Sequence, residues 1–387
     1  MFVQGAAPCG CRRRRDLESE SHVMKPNDPS HPTRHVANLI EGWPHAAKAG
    51  KAAQMKWLHT ALETAIRLEF ATIPPYLTAL WSIKDQKSPV ASAIKAIVQE
   101  EMVHLGLACN MLVAIGGTPP IASKGFAPSY PGPLPGGVHS SLTVRLSGLT
   151  RDAVKSFLII ERPEAHLFNE TNELTAAANL GAPDPADIGI GIFYDAILTA
   201  FQTLSPPLST DRQISDWAPL EPVTTLLDVE AKINLIKHQG EGTAQDPDEG
   251  TDKADLAHFY RFLEIQVGRK IKQADDKRWG FTHKTVRWPD VWPVAVVPAG
   301  GHDARTAPPE VRILLADFDR AFALLLQLLN DAWTTGDDSL VNAAIGTMTS
   351  MGALGRRLME IPIPGTDPVQ TYAPSFRVRG HAPTKSV

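Results

Sequence analysis

The chain has 387 residues, of which 43% are hydrophobic and 21% are charged, and its formal net charge is -4. This composition supports a buried core and excludes a strongly basic surface for nucleic acid or anionic membranes. No window approaches the roughly 18 apolar residues that a membrane-spanning helix needs. We therefore expect a globular protein whose partner is a small molecule or another protein.

The three cysteines do not suggest a disulfide framework. Cys9 and Cys11 lie in a polar N-terminal stretch, and Cys109 lies far from both in the sequence. This usage favours a reducing compartment, so we expect a cytoplasmic protein.

The N-terminal stretch has a basic run at residues 12–15 but no apolar segment behind it. That pattern argues against a secretory or twin-arginine signal. Residues 1–35 are predicted to be a disordered leader because they are polar and contain several prolines. Initiation at Met24 is the alternative.

A first long helix is predicted over residues 51–84, where apolar side chains recur at helical spacing. These side chains are Leu62, Ile66, Ile73, Leu77 and Leu80. Glu69 falls on the same apolar stripe. Pro74 and Pro75 interrupt the run, so we expect the helix to kink about one turn after Glu69.

A second helix is predicted over residues 89–115. Ser88 is a favourable N-terminal cap, Pro89 suits the first helical position, and Gly116 and Gly117 follow the end. Because the turn between the two helices is short, they are expected to be antiparallel neighbours.

The remainder is predicted to be mostly helical with irregular connections. Residues 117–150 are rich in proline and glycine and form an expected crossover, with one short strand at 141–149. Further helices are expected at 151–161, 187–204, 226–239 and 252–267, then an aromatic-rich wrap at 268–308 and a helical hairpin at 309–335 and 338–360. The predicted fold class is all-α.

The sharpest motif is the pair Glu101 and His104 in the second helix, since residues three apart on a helix point the same way. Both lie on a stripe with Ile97, Val98 and Leu105, so they are expected to face the apolar interior. An unpaired buried carboxylate costs several kcal/mol. A bound metal ion would remove that cost.

Glu69 supports the same interpretation on the first helix, because it too lies on an apolar stripe. In carboxylate-bridged dimetal bundles, two helices each contribute a Glu and the other two each contribute a Glu-x-x-His motif. Glu69, Glu101 and His104 account for half of such a set. The second half is expected downstream.

The best downstream candidates are Asp255 and His258, with an aspartate where a glutamate is expected. His258 is the safer ligand, and Asp255 either accepts a hydrogen bond from a ligand or is the N-terminal acid of its helix. The remaining glutamate is Glu161 or Glu241, since both adjoin apolar runs. The other explanation for Glu161 is an ion pair with Arg162 at a helix end.

Other features favour plainer explanations. Judged by its spacing alone, a Glu-x-x-His pair on a helix is more often a solvent-exposed pair than a metal site. Gly189 and Gly191 lack the third glycine and the preceding strand of a dinucleotide site. Nearby aromatic residues are expected to be core: Phe70, Tyr76, Trp81, Phe259 and Tyr260.

Several segments together point to a known family. They are LEFATIPPYL at 68–77, EEMVH at 100–104, FLIIERPE at 157–164, IFY at 192–194, QGEGT at 239–243 and HFYRF at 258–262. In these segments the chain resembles the ferritin-like domain of the iminophenyl-pyruvate dimer synthases, enzymes of bisindole pigment pathways such as violacein. The resemblance covers residues 55–270.

The resemblance implies a ferritin-like four-helix bundle with an irregular crossover and additional C-terminal helices. It also implies a metal-dependent oxidative function. The ligands that it carries over are Glu69, Glu101, His104, Glu241 and His258. The expected organisation is a leader at 1–35, a metal-binding bundle at 51–270, and a C-terminal wrap and hairpin at 271–387 packed on the bundle.

We therefore expect a non-haem oxidase or oxygenase with two iron ions, or mixed iron and manganese, bridged by Glu101 and by Glu69 or Glu241. By resemblance, the substrate is an amino acid or an imine derived from one, with dioxygen as co-substrate. No nucleic-acid or membrane partner is expected, and a homo-oligomer is left open. The alternatives are a non-catalytic metal-binding or storage bundle, and coupling of imino acids with a haem partner.

Overall fold

A computed structural model describes residues 35–163, 173–180, 189–217, 220–240, 247–248 and 256–378. Within these ranges the chain is mainly helical and includes one two-stranded sheet. None of the described helices is both long and apolar enough to cross a membrane. The predicted leader at 1–35 lies almost wholly outside the described residues.

The first helix, α1 (His35–Ala49), was not predicted. It packs on α2 (Lys51–Ser82), and Gly50 separates the two helices with a φ of 98°, a conformation that favours glycine. The Trp57 indole nitrogen donates a hydrogen bond to the Leu39 carbonyl at 2.7 Å, and the Trp57 ring lies 4.9 Å from that of Trp43. These contacts dock α1 on the bundle.

The two predicted long helices are confirmed as α2 and α3 (Pro89–Ala114), which pack together. The Ser88 hydroxyl caps α3 by accepting a hydrogen bond from the Ala91 amide. Helix α2 continues through Pro74 and Pro75 to Ser82, and a kink there stays a prediction. Pro75 has no amide to offer the Ala71 carbonyl, and the Tyr130 hydroxyl donates to that carbonyl at 2.7 Å instead.

The third and fourth helix positions of the four-helix bundle are each occupied by two short helices instead of one long helix. The third consists of α4 (Arg151–Ile160) and α6 (Ile190–Leu204), with the one-turn α5 (Glu173–Ala177) between them. The fourth consists of α7 (Leu226–Gly240) and α8 (His258–Val267). Helix α4 packs on α8 and α6 packs on α7, while α2 contacts both parts of the third position and α3 both parts of the fourth. The third and fourth positions are therefore interrupted near the middle of the bundle.

Two local predictions were wrong. The helix expected at 252–267 begins only at His258, because Leu256 forms a β-bridge with Asp248 and the Ala257 amide donates to the Pro247 carbonyl. The strand expected at 141–149 is not formed. In that segment, only Val144 forms a bridge, with Gly132.

The predicted irregular wrap at 268–308 contains a β-hairpin that was missed. Strand β1 (Arg269–Gln273) pairs antiparallel with β2 (Trp279–Thr285), and Ile271 lies opposite Phe281. Most of its side chains are polar and partly exposed, so the apolar alternation that marks a strand is weak.

The predicted C-terminal hairpin is confirmed as α9 (Pro309–Thr335) and α10 (Asp338–Met359). Gly336 ends α9 in the left-handed region with a φ of 75°, and the Asp337 side chain caps α10. Helix α10 packs on α2, and apolar contacts join the bundle and the C-terminal part. The domain boundaries at residues 51, 270 and 271 stay predictions.

Candidate metal centre

Five buried acidic and histidine side chains from four helices meet at the level where the third and fourth bundle positions are interrupted. Glu69 comes from α2, and Glu101 and His104 come from α3. Glu161 is the residue that ends α4, and His258 is the first residue of α8. Each of the five is at most 4% exposed. The bundle therefore holds three carboxylates and two imidazoles away from water.

These residues form two groups with the spacing of metal ligands. One group is Glu69, Glu101 and His104, and the other is Glu101, Glu161 and His258. Within each group the candidate ligand atoms all lie within 4.8 Å of one another. Because Glu101 belongs to both groups, the geometry is that of two neighbouring sites with a shared carboxylate.

The histidines direct the same nitrogen towards the carboxylates. Nδ1 of His104 lies 3.6 Å from Glu69 Oε2. Nδ1 of His258 lies 2.7 Å from Glu101 Oε1 and 3.5 Å from Glu161 Oε2. The two imidazole rings are stacked, with centroids 5.5 Å apart. Each half of the centre thus presents one imidazole and one carboxylate of its own, besides the shared Glu101.

Hydroxyl groups orient all three carboxylates. Tyr194 on α6 donates to Glu69 Oε1 at 2.5 Å, and Tyr76 on α2 donates to Glu161 Oε1 at 2.5 Å. The Thr72 hydroxyl donates to Glu101 Oε2 at 2.8 Å. In both tyrosine pairs, Oε1 faces the phenol and Oε2 faces a histidine.

The outer nitrogens of the histidines have different partners. His104 Nε2 lies 2.9 Å from the Gln239 side-chain oxygen at the end of α7. His258 Nε2 lies 2.8 Å from a carboxylate oxygen of Glu100, and Arg261 pairs with the same carboxylate. An acceptor on Nε2 places the proton there and leaves the Nδ1 lone pair directed at the centre.

Burial and neighbouring charges shift the pKa values of these groups. Burial raises the pKa of Glu101, and the charge of Glu161 raises it further. Burial opposes protonation of His258, but the surrounding carboxylates raise its pKa well above the usual value. For Glu100, burial alone would raise the pKa, but contacts with His258 and Arg261 lower it to about 2. A divalent cation can supply the positive charge that protons supply in the metal-free form.

One further observation fits a metal ion. His258 Nδ1 is buried and makes no hydrogen bond of acceptable geometry, although Glu101 Oε1 is close. Carboxylate and imidazole donors suit iron and manganese. The residues present therefore fit the predicted ions.

Comparison with known proteins agrees with this architecture. A family model described as Ferritin-like matches residues 62–267. The chain belongs to the Ferritin-like family.

This ferritin-like chain is also similar to one curated protein and to one solved structure. Dichlorochromopyrrolate synthase from Lentzea aerocolonigenes is 23% identical over 327 residues, which cover 75% of the chain but only 30% of the synthase. The crystal structure of a ferritin-like protein from Caulobacter vibrioides is similar with a TM-score of 0.55 and 27% identity, covering 78% of this chain and 94% of that one. The predicted ferritin-like, mainly helical fold is confirmed.

The ferritin-like centre has a small opening towards the gap between α6 and α7. A cavity of about 20 Å³, room for roughly one water molecule, adjoins the carboxylates and is lined on this side by Ile190, Gly191, Ile236, Lys237 and Gly240. Lys237 Nζ pairs with Asp195 Oδ1 at 2.7 Å, which links the two helices beside the opening.

The structure brings together five of the seven predicted ligands of this ferritin-like site. Glu161 lies in the centre, where its carboxylate contacts Tyr76 and His258. Glu241 and Asp255 lie outside the described residues, so their roles stay predictions. Metal binding by all seven stays a prediction as well.

Most of the residues that hold these ligands were not predicted from the sequence. Tyr76 lies in the core as expected, but its hydrogen bond to Glu161 was not predicted. Its position two turns after Glu69 on the same helix face was a usable signal. Glu100 is next to the ligand Glu101 in sequence, but its side chain points in a different direction, so helical spacing did not mark it as part of the centre. Tyr194 and Gln239 lie in two of the segments that carry the family resemblance, but no helical spacing links them to the ligands, because only packing of α6 and α7 brings them to the centre.

Proposed function

We propose that this ferritin-like protein is a metal-dependent oxidase or oxygenase with two iron ions, or mixed iron and manganese, acting on an amino acid or an imine derived from one. The observation that carries the proposal is the sharing of Glu101 by two buried groups of carboxylate and imidazole ligands. Such a donor set is poorly explained as structural, because burying so many ionisable groups is costly without a cation.

Two redox-active ions held by these ligands would supply the electrons and the binding positions for dioxygen chemistry. The chain contributes the surroundings. Tyr76 packs edge-on against Phe157 at 4.6 Å and against Phe262 at 5.1 Å, so that side of the centre is apolar and closed to water. Exclusion of water strengthens electrostatic interactions in the centre and limits side reactions.

The substrate part of the proposal rests on the synthase relative and on the opening. The name of that relative denotes a carboxylate product. Lys237, the cation among the described residues that line the cavity, is positioned to attract the carboxylate of an amino acid or imino acid. The Lys237 side chain is 24% exposed and that of its partner Asp195 is 53% exposed, so solvent screens the pair in part, and we expect a substrate carboxylate to replace Asp195.

Metal analysis tests the first part of the proposal. Purified protein reconstituted with Fe²⁺ under anaerobic conditions is expected to bind about two equivalents, since two ligand groups are present. Glu101→Gln is expected to lose both ions because both groups depend on Glu101, while Glu69→Gln loses one. Glu41→Gln, at an exposed position on α1, is the matched control and should keep both. Retention of two ions by Glu101→Gln would contradict the proposal.

Oxygen uptake tests the second part. The iron-loaded, reduced protein is incubated with a panel of amino acids and with indole-3-pyruvate imine in an oxygen electrode. Faster oxygen consumption with one of these substrates, abolished in Glu101→Gln but not in Glu41→Gln, is the expected result. Tight iron binding with no dependence of oxygen uptake on any of them would favour a storage role instead.

A further inference from the structure

Among the described residues, the two halves of the centre differ in the partner that lies behind each histidine. Each half has a carboxylate of its own that accepts a 2.5 Å hydrogen bond from a tyrosine: Glu69 from Tyr194, and Glu161 from Tyr76. Both halves share Glu101. The tyrosines therefore do not distinguish the halves, and the difference lies behind the histidines.

Behind His104 is the neutral side-chain amide of Gln239, whereas behind His258 is the carboxylate of Glu100. A carboxylate that accepts the Nε2 proton makes the imidazole more basic and a stronger metal ligand than an amide does. Arg261 pairs with Glu100 and fixes the carboxylate against the ring. The positive charge of Arg261 reduces the effect of Glu100 on the basicity of His258, but the hydrogen bond between His258 Nε2 and Glu100 remains charge-assisted.

We propose that the two halves bind metal unequally, with the half built on His258 filled first because Glu100 acts as a positioning and polarising residue behind that histidine. The expected difference in dissociation constant is roughly 10- to 100-fold, the usual effect of such outer partners. This inference rests on the metal binding proposed above. It adds an order of filling, and it assigns that order to the contrast between Glu100 and Gln239.

The test uses Co²⁺, whose visible absorption reports binding, and full-length proteins with one half disabled. His104→Ala leaves the half built on His258, and His258→Ala leaves the other. Titration is expected to give a dissociation constant roughly 10- to 100-fold lower for His104→Ala than for His258→Ala. Equal constants, or the reverse order, would overturn the inference.

Second substitutions then assign the cause. Glu100→Gln added to His104→Ala should weaken Co²⁺ binding by most of that factor, while Gln239→Glu added to His258→Ala should tighten it. Gln239→Glu in the His104→Ala protein is the matched control and should change binding little. Circular dichroism of the metal-free proteins checks folding, and if Glu100→Gln fails to fold, the Gln239→Glu comparison decides. No effect of Gln239→Glu on the His104 half would overturn the inference.

These outcomes are separate from failure of the proposed function. Wild-type protein that binds no Co²⁺ and no Fe²⁺ would contradict the metal centre itself. Wild-type protein that binds two ions of equal affinity would contradict only the order of filling.

Discussion

At the scale of single residues, the centre depends on how neighbouring side chains divide their roles. Glu100 and Glu101 are adjacent in sequence, but the turn of the helix sends them to opposite nitrogens of His258, at 2.8 and 2.7 Å. Phenols hold one oxygen of each unshared carboxylate and leave the other facing a histidine. Each ligand is thus fixed by a second residue before any ion binds.

Tyr194→Phe tests this fixation. Without the hydroxyl, Glu69 is free to rotate, and we expect binding at the half built on His104 to weaken by roughly 10-fold. The measurement is a Co²⁺ titration of the His258→Ala protein with and without the substitution. The control is Tyr130→Phe, another buried tyrosine, which should lower stability by leaving the Ala71 carbonyl without its donor but should not change metal affinity. Equal loss of affinity in both variants would show that fixation is not the cause.

At the scale of elements, interruption of two helices is what assembles the centre. Glu161 and His258 stand at helix ends beside the breaks, and Gln239 lies in the last turn of α7. A continuous fourth helix would place a Glu-x-x-His motif on one face. Here His258 instead starts a new helix, so its position depends on how α8 packs against α3 and α4.

The close packing of α10 on α2 gives a prediction about stability. A Cβ on Gly355 would lie 2.6 Å from the Trp81 ring, whereas nothing lies within 4 Å of a Cβ on Gly346 of the same helix. We expect Gly355→Ala to reduce the free energy of unfolding by roughly 1–3 kcal/mol through overpacking. Gly346→Ala should be neutral or stabilising by up to about 1 kcal/mol. Urea denaturation of both variants checks this, and equal effects would refute the packing argument.

At the scale of the whole molecule, a C-terminal segment formed by residues 371–376 is part of the core. Phe376 stacks on Trp81 with ring centroids 5.8 Å apart and meets Phe318 edge-on at 5.0 Å. Thr371 forms a parallel bridge with Val294. Aromatic rings from helix α2 of the bundle, from helix α9 of the hairpin and from this C-terminal segment thus form one group.

His302 helps to hold the C-terminal segment in place and makes the stability of the protein depend on pH. Its Nε2 accepts a hydrogen bond from the Ala373 amide, which requires a neutral ring. Burial and the charge of Arg377 lower the pKa of His302 to about 4. Because the unfolded state takes up this proton near pH 6.5, stability is expected to fall as the pH drops from about 6.5 to about 4, by at most about 3 kcal/mol.

The measurement is the free energy of unfolding across that range for wild type and His302→Gln. Glutamine can accept the same hydrogen bond but does not titrate, so the variant should lose less stability on acidification. Other groups titrate equally in both proteins and cancel in the difference. Identical pH profiles for the two proteins would refute the role of His302.

The sequence alone was sufficient for features that depend on local pattern. The apolar periodicity of α2 and α3 predicted both helices and placed Glu69, Glu101 and His104 on their buried faces, because a helix face is set by residues three or four positions apart. The C-terminal hairpin was predictable for the same reason.

Tertiary structure alone decided which distant groups meet. His104 finds Gln239 135 positions away, and His258 finds Glu100 158 positions away. No periodicity encodes such pairs, since they depend on where α4, α7 and α8 end and how they pack. The same holds for the position of Glu161 in the centre and for the start of α8 at His258. Burial of Glu69, Glu101 and His104 therefore follows from local sequence, whereas the positions of Glu161 and His258 and the partners of all five depend on packing between helices.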